Sequence, residues 1–438
     1  MFLYGKKMTE LINIFSYTIL LSFLLFMPFF KKKSLLTKKI SLDEYDLPVL
    51  NILFLTNLFL IFSIFNFTIS QVTSIFYSII FIFLIYFFSN FKKLLFPKDI
   101  IYFFIFYSII LLIFSIDISK NLFLYWDAQK IWLPKAISFY NDGLIVDLKD
   151  TAYSHYSFLG SLLWAFFWKI SGSEYEYFGR IFFLATYLFA ILNLLSLISV
   201  NKNIKIISFL ILTLITYDYW LFRGTQEILV FSFLLILSKY LFNLFMDNKN
   251  KSINLLNIFL CLNLIIWTKN EGIILSLIIL FILIIFFKET TKFKLILTTM
   301  LFSMILVRFL IFKFNGLDLD LSRDFEFSNI LSIFFNNFTI INLALISKYI
   351  IFSLFKFPHI VLSIFFALAI AFDKRLFKKF IFLYVYLFLS IFLIFFIYLS
   401  SPHDLDFMVS TGSMRLMLEF SAPNLLFILI FFKDKFKI

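Results

Sequence analysis

A few short polar strings interrupt an otherwise apolar chain, and each holds side chains able to move a proton or grip a phosphate. Tyr125-Trp126-Asp127-Ala128-Gln129-Lys130-Ile131-Trp132-Leu133-Pro134-Lys135-Ala136 places Asp127 between two tryptophans, directly after an apolar run. A carboxylate at such a rim can act as a general base, or bind a cation beside a phosphate. A surface aspartate in an interfacial aromatic belt reads the same way. Tyr153-Ser154-His155-Tyr156-Ser157 adds His155, one of three histidines, able to donate to a phosphate, bind a metal or hydrogen-bond at an interface. Gly179-Arg180 opens a later apolar run, where Arg180 can pair with a lipid phosphate. Asp142, Asp147, Lys149 and Asp150 read as solvated loop charges.

Further along, Arg223-Gly224-Thr225-Gln226-Glu227 reads as a tight turn that sets Glu227 in the first turn of a helix, where the dipole alone favours an acid. Asp218 sits in the aromatic run before it, and carboxylates at membrane depth tend to face a cavity. Trp267-Thr268-Lys269-Asn270-Glu271-Gly272 leaves almost no loop between two apolar runs. Its charged triplet is costly unless it faces water, protein or substrate. Lys269 can neutralise a phosphate and Glu271 can orient it; a hairpin reaching the headgroups is the plain alternative. Ser410-Thr411-Gly412-Ser413-Met414-Arg415-Leu416 reads as a loop, with Ser413 and Thr411 placed to cap the last apolar run. Arg415 suits bidentate phosphate recognition, or a lipid headgroup. The candidate catalytic residues are thus Asp127 and Glu227. Candidate substrate contacts are His155, Tyr156, Arg180, Lys269, Asn270, Glu271 and Arg415.

The elements that carry these residues must be membrane helices. Of 438 residues 62% are hydrophobic and 15% charged, with a mean hydropathy of +0.99. That excludes a soluble enzyme, a secreted disulfide scaffold and a disordered chain. Cys261 is alone, so neither an internal disulfide nor a cysteine metal site is available. Seventy Phe and 33 Lys against six Arg point to compositional drift, so aromatic stripes carry little information and the rare residue types carry more. Lys6 and Lys7 precede a long apolar run with no small-residue cleavage site, which reads as an uncleaved membrane helix.

Apolar runs near spanning length predict an all-α polytopic protein of about 13 spans, at 12–30, 49–66, 73–89, 99–116, 180–199, 206–222, 228–246, 252–268, 272–287, 294–312, 349–372, 380–399 and 416–432. Placing 31–39, 91–98, 201–205, 247–251, 288–294, 373–379 and 433–437 on the cytoplasmic side gives that side 22 Lys/Arg. The opposite side then holds 10, beside 15 acidic residues, as the positive-inside rule expects. This topology keeps 156–170 as an interfacial or re-entrant helix within one long external loop, 117–179, and 330–348 as a helix on the membrane surface; the alternative is that both are true spans. A connection of that length usually has a function. Every polar string then falls on the external side. The chain divides into accessory spans (1–98), a central module with the external loop (99–312) and C-terminal spans (313–438). The positive charge sits between apolar runs, with no aromatic-basic pattern for nucleic acid.

These residues, in this order and on this common side, resemble the GT-C superfamily of polytopic glycosyltransferases. The likeness is to bacterial members related to the protein mannosyltransferases and the lipid A aminoarabinose transferase, and it covers roughly 99–432. Asp127 matches the Asp of the first external loop, and His155-Tyr156-Ser157-Phe158-Leu159 stands where relatives carry a proline-containing segment. Glu227 matches a second acidic position, and strings like 267–272 and 411–416 recur in subsets of the superfamily. The resemblance implies inverting transfer of a sugar from a polyprenyl-phosphate donor to a lipid or glycan acceptor, outside a bacterial inner membrane. Asp127 would be the base, Lys269 and Arg415 would stabilise the leaving phosphate, and Glu227 would position the acceptor or a cation. Some relatives use a divalent cation and others do not, so the cofactor stays open. A transporter or flippase of a lipid-linked sugar is the main alternative and would need the same cations but no base.

Overall fold

The computed structural model describes residues 2–26, 46–89, 98–198, 202–246, 250–317 and 329–435. The lysine-rich stretches 31–39 and 91–97 and the acidic stretch 318–328 lie outside the described residues. All the regular structure described is helical, and helices satisfy every backbone N–H and C=O within the segment, as lipid demands.

In chain order the helices are α1 (Phe2–Phe26), α2 (Asp46–Ile64), α3 (Ile69–Ser89) and α4 (Lys98–Lys120). The long loop contributes α5 (Leu133–Tyr140) and α6 (Leu159–Ile170). Then follow α7 (Tyr177–Leu195), α8 (Lys202–Thr216), α9 (Glu227–Met246), α10 (Lys251–Thr268), α11 (Glu271–Phe286) and α12 (Thr291–Phe314). The C-terminal part holds α13 (Ile330–Asn337), α14 (Ile340–Lys356), α15 (Pro358–Ala371), α16 (Lys374–Lys379), α17 (Ile381–Leu399), α18 (Leu405–Ser421) and α19 (Leu425–Lys435). Among the described residues eight helices are long and apolar enough to cross a membrane, or nine if the bent α13–α14 pair forms one span. α11 has 16 residues and α15 has 14, below the usual spanning length.

α7 and α9 are the axis of the bundle. Every residue of α7 is buried, and so is nearly all of α9, which packs against both α7 and α10. A helix apolar all round belongs in such a position. α12, by contrast, buries only a few residues and turns the rest outward. The lysine-rich helix ends (Lys251, Lys292 and Lys294, Lys378 and Lys379, Lys433) belong to one set of termini, and the polar strings to the other.

Three local expectations change. Residues 405–416 are helix rather than loop: α18 starts at Asp404, whose side chain accepts from Phe407 N (2.8 Å), and runs through a 3-10 turn at Pro423 into α19. Ser413 and Thr411 are therefore mid-helix and cap nothing. The run 349–372 is broken at Pro358, which has no N–H and clashes with the preceding turn. The segment 330–348, expected as one helix on the membrane surface, is not one helix: α13 ends at Asn337, and the chain bends by 88° before α14 begins at Ile340. Within the long loop, α6 has 12 residues, about 18 Å at 1.5 Å per residue, too short for a core about 30 Å thick. It is wedged against α5 and α7, and ten of its residues are buried.

Candidate functional site

The segment after α4 is laid back onto the bundle by its backbone. Tyr125 N donates to Arg223 O (3.1 Å), and the Gln129 amide donates to Leu124 O (2.8 Å). This ties the Asp127 string to the turn before α9. Gly224 in that turn has φ +85°, and a Cβ there would lie 2.5 Å from the Trp164 ring and 2.9 Å from Ala128 Cβ. Both the left-handed backbone and the lack of space require glycine. Asp127 thereby meets Arg415 of α18, whose Nη1 donates to its carboxylate. The pair joins residues 288 positions apart. The same Nη1 lies 3.6 Å from Glu227 Oε1 at the N-terminus of α9.

Lys269 occupies the middle of the cluster. Its ammonium donates to Glu419 Oε1 (2.6 Å) and Glu227 Oε1 (3.1 Å), and stands 3.7 Å from Glu271 Oε1. Burial works against the ammonium, but these three carboxylates outweigh it and hold its pKa well above the ordinary lysine value. Glu419, on α18 one turn beyond Arg415, is fully buried and was not singled out from sequence. Among the described residues no group of three or more His, Cys, Asp or Glu is arranged to hold a metal ion. The space between the three glutamates already holds the Lys269 ammonium.

Arg308 of α12 is the second residue that sequence reasoning passed over. It is buried, and its guanidinium donates to Ile266 O, to Lys269 O (3.2 Å), to Asn270 Oδ1 and to Ser157 Oγ (2.8 Å). One side chain thus satisfies the last carbonyls of α10, fixes the α10–α11 hinge and ties the hinge to the His155 loop.

A cavity of about 430 Å³ opens beside this cluster, within the range of small-molecule sites. Its lining is mixed: His155, Tyr156, Lys269, Asn270, Glu271, Arg308 and Arg415 make its polar part, and Ile273, Ile274, Phe309, Phe312, Phe396 and Met408 belong to its apolar part. Asp127 and Glu227 are not part of the wall; they touch Arg415 and Lys269, which are.

The structure does not bring Arg180 to this cavity. It is buried, donates to Glu176 (2.7 and 3.0 Å) and to Phe222 O (2.8 Å), and clamps the start of α7 to the segment before α9. Asp142 is more than a solvated charge. Its carboxylate accepts from Ser70 N (2.8 Å), Ser70 Oγ (2.6 Å) and Lys169 Nζ (3.3 Å), pinning the loop to the start of α3. Desolvation acts upward on its pKa, but the Ser70 bonds and the Lys169 charge together hold it below the usual value.

The chain matches no known protein family, curated protein or solved structure.

Lys135 supports the His155 loop from below. It is fully buried on α5, and its ammonium donates to Tyr156 O (2.6 Å) and Ser154 O (3.5 Å). Burial, and then the nearby Arg308 charge, lower its pKa to about 7. Between that value and the ordinary 10.5 the unfolded chain holds a proton that the folded chain lacks, so stability rises with pH through this window. Between pH 7 and 9 the gain is up to about 3 kcal/mol, at about 1.4 kcal/mol per unit. Thermal unfolding in detergent at pH 6, 7, 8 and 9 checks this. The wild type gains stability above pH 7, and a Lys135→Met variant does not.

Proposed function

We propose that this protein is a glycosyltransferase of the GT-C type, which moves a sugar from a polyprenyl-phosphate donor to a lipid or glycan acceptor. We place it in a bacterial cytoplasmic membrane, with the site at the outer face. The observation that carries the proposal is the mixed lining of the cavity. Its apolar residues suit an isoprenoid chain, its cations suit a phosphate, and the Asp127 carboxylate is paired with Arg415 of the lining. The separation of lysine-rich helix ends from the polar-string ends supports the orientation.

In this reading the acceptor hydroxyl gives its proton to Asp127 as its oxygen attacks the sugar's anomeric carbon. The bond from that carbon to the phosphate oxygen breaks on the opposite face, and the electron pair leaves with the polyprenyl phosphate. Configuration inverts. Lys269 is already matched by three glutamates, so the developing phosphate charge falls chiefly to Arg415. Arg308 holds the wall in shape. Glu227 touches both Lys269 and Arg415 and keeps the two cations in register.

The test is a transfer assay. Purified protein in lipid receives radiolabelled polyprenyl-phosphate sugars, with membrane extract as acceptor. Label passing to an acceptor is the expected result. Arg415→Gln should lower the transfer rate by about 10²–10³-fold, the usual effect of losing one donor to a developing anion. Donor bound by the wild type but never transferred would overturn the transferase reading and favour a transporter.

A further inference from the structure

The polar part of the lining carries atoms that no protein group satisfies, and they are of a particular kind. Asn270 Oδ1 accepts from the Arg308 guanidinium, which fixes the amide's orientation and leaves Nδ2 buried without a partner. Glu271 has Oε1 3.7 Å from Lys269, while Oε2 is buried without a partner. Tyr398, at the end of α17, is 1% exposed, lines the cavity, and has no partner for its hydroxyl. Buried polar atoms of native proteins are nearly always bonded, so these three, with Arg415 Nε also unmet on the same cavity, call for a ligand or ordered water.

Gly412 gives a second, independent indication. It lies in the interior of α18, where glycine weakens a helix relative to alanine. It also lines the cavity, and a Cβ at this position would lie 3.0 Å from the Tyr398 hydroxyl. The glycine keeps the approach to that hydroxyl open.

We propose that Asn270, Glu271 and Tyr398 form a polyol subsite that binds the hydroxyl groups of the donor's sugar ring. This rests on the transferase reading and adds to it the part of the site that reads the sugar. The chemistry selects the ligand class. Asn270 Nδ2 only donates, the Glu271 carboxylate only accepts, and the tyrosine hydroxyl does both. A phosphate has acceptors alone, and Glu271 repels it. An isoprenoid chain would leave all three atoms unmet. Ring hydroxyls give and take at each position, and so can satisfy the set. Sites built around such hydrogen bonds discriminate strongly against ligands that lack them.

Tyr398→Phe is the informative variant, because the hydroxyl it removes bonds to nothing in the protein. Fold stability should be unchanged or slightly higher, as thermal unfolding would report. Equilibrium binding is then measured for bare polyprenyl phosphate and for polyprenyl-phosphate glucose, mannose and arabinose, in nanodiscs. The wild type should bind at least one sugar-bearing lipid more tightly than the bare one. Tyr398→Phe should weaken that binding by roughly threefold to tenfold, the range for one neutral hydrogen bond, and leave bare polyprenyl phosphate unaffected. Gly412→Ala should act in the same direction. Equal binding of all four lipids by the wild type would overturn the subsite and leave the lipid-phosphate reading standing. So would a Tyr398→Phe variant that loses nothing, or that loses affinity for the bare lipid equally. Failure of the wild type to bind any of the four would overturn the transferase reading, and the subsite with it.

Discussion

Asp127→Asn is expected to stop transfer while the protein still folds and still binds its lipid donor. Asparagine has nearly the same shape and can keep a hydrogen bond with Arg415, but it cannot take a proton from a hydroxyl. General bases typically contribute 10²–10⁴-fold, and the transfer rate should fall by about that factor. Donor binding should persist, because Asp127 is not part of the cavity wall and Arg415 retains Glu227 at 3.6 Å. Measuring transfer and donor binding on the same preparation separates the two effects. Undiminished transfer would keep the transferase and remove Asp127 as its base. Loss of binding together with transfer would make Asp127 a structural partner of Arg415 instead.

The second large effect is on stability. Lys269→Met should destabilise the protein by about 3–5 kcal/mol, the usual cost of removing one partner from a buried ion pair. The reason is local. Glu419 is 0% exposed and Glu227 2%, and each gives an oxygen to the Lys269 ammonium. Without that ammonium two buried carboxylates must become protonated, find water, or open the α9–α10–α18 junction. Glu419→Gln should cost less, because Lys269 retains Glu227 and Glu271. The double variant Lys269→Met/Glu419→Gln should recover part of the loss, since it removes one of the stranded charges. Thermal unfolding of all three in one detergent is the check. A Lys269→Met variant as stable as the wild type would show that the carboxylates are already neutral.

Much of the site could be read from residue types and spacing, and the parts that could not have physical reasons. Asp127, Glu227, Lys269 and Arg415 stand out because charge beside an apolar run is costly and therefore informative. The structure brings these four into one chain of contacts, with His155, Tyr156, Asn270 and Glu271 on the adjoining wall. Arg180 carries the same sequence signal but spends its guanidinium on Glu176 and Phe222, since rarity marks cost and not purpose. Arg308 and Glu419 sit inside long apolar runs, where a search for polar strings does not look. Each is nonetheless a charge at membrane depth, and Arg308 is one of only six arginines, so the signal was available. Tyr398 could not be found among 21 tyrosines and 70 phenylalanines.

The helical architecture followed from composition, but individual segments depended on tertiary contacts. Ser410-Thr411-Gly412-Ser413 has the content of a loop and is helix, because α18 packs between α14, α17 and α9. Packing of this kind routinely overrides weak propensity. The break at Pro358 was visible in the sequence, since proline cannot continue a ladder that needs its N–H. The distinction between long and short apolar helices turned on a few residues at each end, where sequence reading is least accurate.

The Asp127–Arg415 contact has a consequence for biogenesis. The two residues are 288 positions apart, and Ser157 and Arg308 are 151 apart. At about 5–20 residues per second, Asp127 emerges about 15–60 s before its partner is made. Lys269 likewise precedes Glu419, by 150 positions. During synthesis the membrane therefore receives half-built charge clusters: Asp127 without Arg415, and Lys269 with Glu227 and Glu271 but without Glu419. α18, made after all the other helices of the cluster, brings Arg415 and Glu419 together and completes both. Chains truncated before it should remain loosely assembled and exposed to membrane quality-control proteases, however many of their earlier helices have been inserted.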